Sequence, residues 1–183
     1  QRRLVTLAVV LAAAPLALSQ TPSPADGEAW RAVAQSTAVP AYRDLPTGLP
    51  GTAPFAVIVD TQEPLFWETA LMGRENNVVE RSQLLAALAE LQPAFLVITG
   101  DLTAVGASER RWRYFDGLTA ALRALDTPIL PILGNHDYWG SNSVALRAFS
   151  SRFPQFSRSH WYSRRYGALA LVFLDANAND LGS

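Results

Sequence analysis

Four short apolar runs punctuate the chain, and each gives way to a polar residue. Phe55–Val59 stops at Asp60, Phe95–Thr99 runs into Gly100-Asp101, Ile129–Leu133 into Gly134-Asn135-His136-Asp137, and Leu169–Leu174 into Asp175. Short continuous runs of this kind predict strands buried on both faces. Pro131 inside the third run gives it an edge position or an irregular strand, because proline cannot donate to a ladder. Between the runs the period changes. Leu84, Leu88 and Leu91 recur at i, i+4 and i+7 within Val79–Leu91, with Glu80, Arg81 and Glu90 on the wet side and Pro93 as the stop, which predicts a helix. Trp112, Phe115, Leu122 and Leu125 mark a second helical stripe, with Ser108 as its N-cap. Strands alternating with helices at this spacing predict α/β units with parallel strands, since each helix supplies the crossover that a parallel pair requires.

The amino-terminal part reads differently. Arg2 and Arg3 precede an apolar stretch from Leu4 to Leu18, and Ala17 and Ser19 supply small residues for cleavage before Gln20, so residues 1–19 are expected to be a secretory signal. The stretch falls short of the roughly 20 residues of a spanning helix, so no stable membrane anchor is expected. With no lipobox cysteine, the expected location is a bacterial periplasm or the medium. Residues 20–53 carry Pro22, Pro24, Pro40, Pro46 and Pro50 among small residues and are expected to be a linker, with a short helix possible over Glu28–Gln35. One folded domain is expected over 54–183.

Composition narrows the classes. The chain is 49% hydrophobic and 17% charged, which is globular and excludes disordered, collagen-like and coiled-coil chains. The absence of cysteine excludes disulfides, zinc-thiolate sites and thiol catalysis. All 15 basic residues are Arg, against 16 acidic ones. No basic stripe with interleaved aromatics accompanies them, so no nucleic-acid partner is expected. Arg110, Arg111 and Arg113 are expected on a solvated helix face, and Arg164 and Arg165 at a hairpin.

The strand ends carry the chemistry. In open α/β sheets ligands gather at the carboxyl ends of strands, so Asp60, Asp101, Asn135 and Asp175 are expected to converge. Carboxylate and amide oxygens suit two hard divalent ions, Mn, Fe or Mg, with Zn also possible. A carboxylate such as Asp101 can bridge two ions, which can share a hydroxide and neutralise charge on a phosphoryl group during in-line displacement. His136 would face the substrate and protonate the leaving oxygen, with Asp137 orienting it.

These residues resemble the calcineurin-like metallophosphoesterases. The blocks Asp60-Thr61-Gln62, Gly100-Asp101, Gly134-Asn135-His136-Asp137 and the strand to Asp175 stand in the family's order, from about Phe55 onward. The resemblance implies a two-sheet α/β sandwich and hydrolysis of phosphate mono- or diesters by a two-metal site. By position it implies Asp60 and Gln62 at the first metal, Asp101 bridging, Asn135 at the second, and His136 with Asp137 as the acid dyad. Gln62 occupies a position where the family usually has histidine; its carbonyl would ligate directly or through water. The family's later histidine and Gly-His-x-His do not occur before Ser183, so the chain is expected to hold the amino-terminal part of the domain and to be a poor catalyst alone. His160 looks like part of a short strand rather than a ligand.

Two further readings stand beside this one. Gln62 and the missing histidines would suit a non-catalytic binding or structural module that kept the fold. A flavodoxin-like sugar or nucleotide binder would need a Gly-rich phosphate loop at the first strand, which is lacking. The stretch from Glu63 to Asn77, with Phe66, Trp67 and Met72, is expected to be a lid or a packed surface loop, and Tyr138 and Trp139 to contact a leaving group or fill space.

Overall fold

The computed structural model describes residues 38–156 and 159–177. The expected signal and the Glu28–Gln35 helix lie outside the described residues. Strands β1 (Ala56–Ile58), β2 (Leu96–Ile98) and β3 (Ile129–Pro131) form a parallel sheet in that order, with Ala56 opposite Leu96 and Leu96 opposite Ile129. Helices α1 (Phe66–Ala70) and α2 (Val78–Leu91) connect β1 to β2, and α3 (Glu109–Leu118) and α4 (Ala120–Ala124) connect β2 to β3. A short 3-10 turn, His136–Tyr138, and helix α5 (Asn142–Arg152) follow. The chain then returns as an antiparallel pair, β4 (Tyr162–Tyr166) and β5 (Leu169–Phe173). The fold is thus mixed α/β, with one parallel and one small antiparallel sheet. Among the described residues no helix is long and apolar enough to cross a membrane.

Only β2 and β3 match the expectation of burial on both faces. Every residue of β2 and β3 is buried, whereas β1, with one neighbour, leaves Val57 55% exposed, and β5 leaves Val172 62% exposed. Pro131 ends an outer strand, where its missing N–H costs no ladder bond. The fourth run is not a parallel strand: the turn at Gly167, with φ of 54°, brings it straight back onto β4. Arg164 and Arg165 lie in β4, within the hairpin expected there.

The α2 stripe is also displaced by one residue. Leu85 and Ala89 are buried with Leu88 alongside, while Leu84 and Leu91 face outward. The run Leu84-Leu85-Ala86-Ala87-Leu88-Ala89 offers apolar residues on two adjacent faces, so its period does not choose between them. Trp112, Phe115 and Leu122 are wholly buried as expected, but Leu125 is not, because the helix breaks at Thr119. Ser108 holds the N-cap position without a side-chain capping bond. Arg111 is mostly buried against Glu63 rather than solvated, and the 63–77 stretch contains α1, whose Glu68 accepts from the Leu65 N–H at 2.8 Å and from Arg74 at 2.7 Å.

Two features join the layers. Residues 38–53, expected as spacer, pack on the domain: Tyr42 and Leu45 are buried, and the Arg43 carbonyl accepts from the Ile129 N–H at 3.2 Å. The same segment reaches the hairpin through Asp44 with Arg164 and through the Tyr166 hydroxyl on the Ala53 carbonyl at 2.6 Å. Beneath it, Arg152 and Asp116, 1% and 4% exposed, form a buried pair. The guanidinium donates to both Asp116 oxygens, and the Tyr42 hydroxyl lies 2.9 Å from one of them.

Candidate active site

The carboxyl ends of the three parallel strands are built on backbone that most residues avoid. Asp60 and Asp101 both have φ of 51°, in the left-handed region that Asp tolerates better than bulkier side chains. Backbone bonds then tie the strand ends together: the Gln62 N–H donates to the Asp101 carbonyl at 3.1 Å, and the Thr61 hydroxyl donates to the Leu102 carbonyl at 3.2 Å. The glycines of the two motifs allow the β2 and β3 ends to touch. A Cβ on Gly134 would stand 2.2 Å from the Asp101 carboxylate, and one on Gly100 would stand 2.9 Å from the Gly134 Cα. Gly134 is therefore a cradle for the Asp101 side chain.

These ends open on a cavity of about 420 Å³. Asp60, Asp101 and Asn135 line it together, with Val59 and Leu174 on its wall. Three of the four expected strand-end residues are thus brought together. Asp175 is not among the lining residues; its carboxylate turns to the Tyr138 hydroxyl and to Asn177. Asn177 lines the cavity instead, a residue the sequence reading missed. Its position two residues beyond a strand-end Asp, in a local Asp-x-Asn turn, was the available signal.

His136 and Asp137 part company. The His136 backbone N–H donates to Asp101 Oδ1 at 2.9 Å, and its ring Nδ1 lies 3.1 Å from the Ala104 carbonyl. Trp139 stacks on the ring, centroids 3.9 Å apart. Asp137, fully buried, does not serve as the ring's orienting partner as expected. Its carboxylate accepts backbone N–H groups of Thr103 at 3.0 Å, Gly134 at 2.9 Å and Leu102 at 3.3 Å, so it locks the β2 loop to the β3 loop. Burial pushes its carboxyl up to about 7, while the three N–H groups pull it down. Trp139 packs on the imidazole, and Tyr138 is buried behind it.

The electrostatics of the cavity favour a cation. Burial and then the neighbouring Asp101 charge raise the Asp60 carboxyl above its ordinary value, against a smaller pull from Arg81 and His136. The Gln62 amide oxygen is buried with no hydrogen-bond partner. Two carboxylates with no side-chain cation paired to them among the described residues, an orphaned amide oxygen and the Asn135 amide make an all-oxygen donor set that fits a hard divalent ion. Among the described residues, however, no group of three or more His, Cys, Asp or Glu stands ready for a metal, so amides must complete any such site. His160 is turned towards Tyr138 and Asp175.

A model of the calcineurin-like phosphoesterase family matches residues 53–179. The chain belongs to the calcineurin-like phosphoesterase family. No curated protein matches it. Membership gives this phosphoesterase its general reaction class, hydrolysis of phosphoesters, in a family that generally uses divalent metals. The match covers β1 through the Asp175–Asn177 turn, and therefore every residue that lines the cavity.

Proposed function

We propose that this chain contributes Asp60, Gln62, Asp101, Asn135 and His136 to a metal-dependent site that hydrolyses phosphate mono- or diesters. The observation that carries the reading is the convergence of Asp60, Asp101 and Asn135 on one cavity, with Asp101 close enough to help raise the Asp60 carboxyl. Asp60 and Gln62 would hold one divalent ion, Asn135 a second, and Asp101 both. When bound, the ions neutralise phosphoryl charge and lower the pKa of water. The chain's own contribution is orientation. The His136 N–H fixes one Asp101 oxygen, leaving the other free. A carbonyl can only accept, so Nδ1 of His136 carries a proton towards Ala104, and Nε2 is the atom that delivers a proton to a leaving oxygen when the ring is imidazolium. Asp137 holds the frame on which both loops stand.

On the same reading, the two sheets belong to a two-sheet sandwich, and the Arg2-Arg3 leader sends the protein to the periplasm or medium. The test is Mn2+ binding to the full chain, with hydrolysis of p-nitrophenyl phosphate and bis-p-nitrophenyl phosphate alongside. Asp101→Asn should weaken Mn2+ at least about tenfold, and His136→Ala should keep Mn2+ while lowering turnover about 100-fold or more. One observation favours a non-catalytic module that kept the fold: the Gln62 side chain pulls the Asp60 carboxyl down, and so can support that carboxylate without touching metal. Absence of Mn2+ binding in the wild type would select that reading.

A further inference from the structure

The fourth strand end differs from the other three in what its acid does. The Asp175 side chain is 6% exposed. Its Oδ2 accepts the Tyr138 hydroxyl, and its Oδ1 accepts the Asn177 backbone N–H at 2.9 Å and side-chain amide at 2.7 Å. His160 Nδ1 stands 3.7 Å from Oδ2 and 3.3 Å from the Tyr138 hydroxyl. Both direct partners lead back to the β3 loop. Tyr138, 4% exposed, closes the 3-10 turn that begins at His136. The Asn177 amide also donates to the carbonyl of Leu133, the residue before Gly134, at 3.0 Å. One carboxylate on the hairpin therefore grips the Gly134–Asp137 segment from both sides, before Gly134 and after Asp137. Among the described residues the hairpin shares no strand pairing with the parallel sheet, so side-chain bonds of this kind set where it meets the cavity.

We propose that Asp175 is a positioning residue: through Tyr138 and Asn177 it sets where Asn135 and His136 stand relative to Asp101. This rests on the metal-site reading above. A donor set must be held to within about half an ångström, and its supporting bonds typically carry about 10–100-fold in metal affinity. Tyr138→Phe removes one hydroxyl from the grip, and Asp175→Asn keeps the shape while removing the charge.

The experiment titrates Mn2+ into full-length wild type, Tyr138→Phe, Asp175→Asn, the double variant, Asp101→Asn and Tyr166→Phe, following free Mn2+ by electron paramagnetic resonance and melting by circular dichroism. Tyr138→Phe and Asp175→Asn should each weaken Mn2+ about tenfold or more. The double variant should be no worse than the weaker single, since both act through one contact. Tyr166→Phe, which removes the hydroxyl bonded to Ala53 far along the hairpin, should bind as wild type. Should Asp175→Asn fail to fold, Tyr138→Phe carries the comparison. Wild-type affinity in Tyr138→Phe while Asp101→Asn loses binding overturns the positioning role alone, as does an equal loss in Tyr166→Phe. A wild type that binds no Mn2+ overturns the metal-site reading, and the positioning role falls with it.

Discussion

The Asp116 cluster and the Asp60–Asp101 pair are both centred on carboxylates, the first buried and the second at a cavity, and they are finished in opposite ways. Around Asp116 the chain supplies its own cation: Arg152 donates to both oxygens, the Tyr42 hydroxyl joins them, and Trp112 covers the guanidinium at 4.8 Å. At the strand ends burial and the neighbouring Asp101 charge raise the Asp60 carboxyl, the backbone beneath both acids is left-handed, and an amide oxygen beside them has no donor. A buried charge is tolerated when it is paired and hydrogen-bonded. The first cluster meets that condition from within the chain, which makes it architecture. The second stands at the cavity, with Asp60 exposed and Asp101 half-buried, and has no such partner among the described residues; left-handed backbone of this sort gathers at functional sites.

Substitutions can break this contrast, the largest effect coming from the closed cluster. Arg152→Met leaves Asp116 buried without its cation and should lower stability by about 3–5 kcal/mol in urea denaturation. A loss below about 1 kcal/mol would mean that the pair is not holding the fold. Next comes Asp137→Ala, which strands three backbone N–H groups and should cost about 2–3 kcal/mol by the same measurement. Gly134→Ala pushes a methyl into the Asp101 carboxylate; a destabilisation of about 1–3 kcal/mol and weakened Mn2+ binding are expected together. The smallest effect should have the opposite sign. Asp101→Asn relieves the like charge on Asp60 and keeps an oxygen for the His136 N–H, so the metal-free protein should be unchanged or gain less than about 1 kcal/mol. A loss of several kcal/mol there would place Asp101 with Asp116, as architecture.

The open cluster was far more legible in the sequence than the closed one. Gly100-Asp101 and Gly134-Asn135 announce themselves because a sharp strand exit needs small or αL-tolerant residues next to the chemistry, and those constraints are local. Arg152 and Asp116 are 36 residues apart, and nothing in either neighbourhood names the other. Tyr42 was hidden for a related reason: a proline-rich segment forms no regular element, yet it buries an aromatic ring stacked 4.7 Å from Phe153. The direction of the fourth run was misread, although a hairpin was expected beside it, because a continuous apolar run does not tell a strand's direction, which a two-residue turn decides. For α2, the leucine-alanine run left two faces equally apolar, and only the packed neighbours chose Leu85 over Leu84. Asp137 was read by its chemistry, as a partner for histidine, whereas depth and three nearby N–H groups gave it another task.

Tyr42 also has a bearing on where this protein, as distinct from its family, begins. The family match starts at residue 53, but the Tyr42 hydroxyl sits among Asp116 and Thr119, and Asp44 holds the hairpin through Arg164. The family match and the packed unit therefore have different borders among the described residues. The family pattern is written at the strand ends, while part of what closes the core behind them stands in the stretch before residue 53.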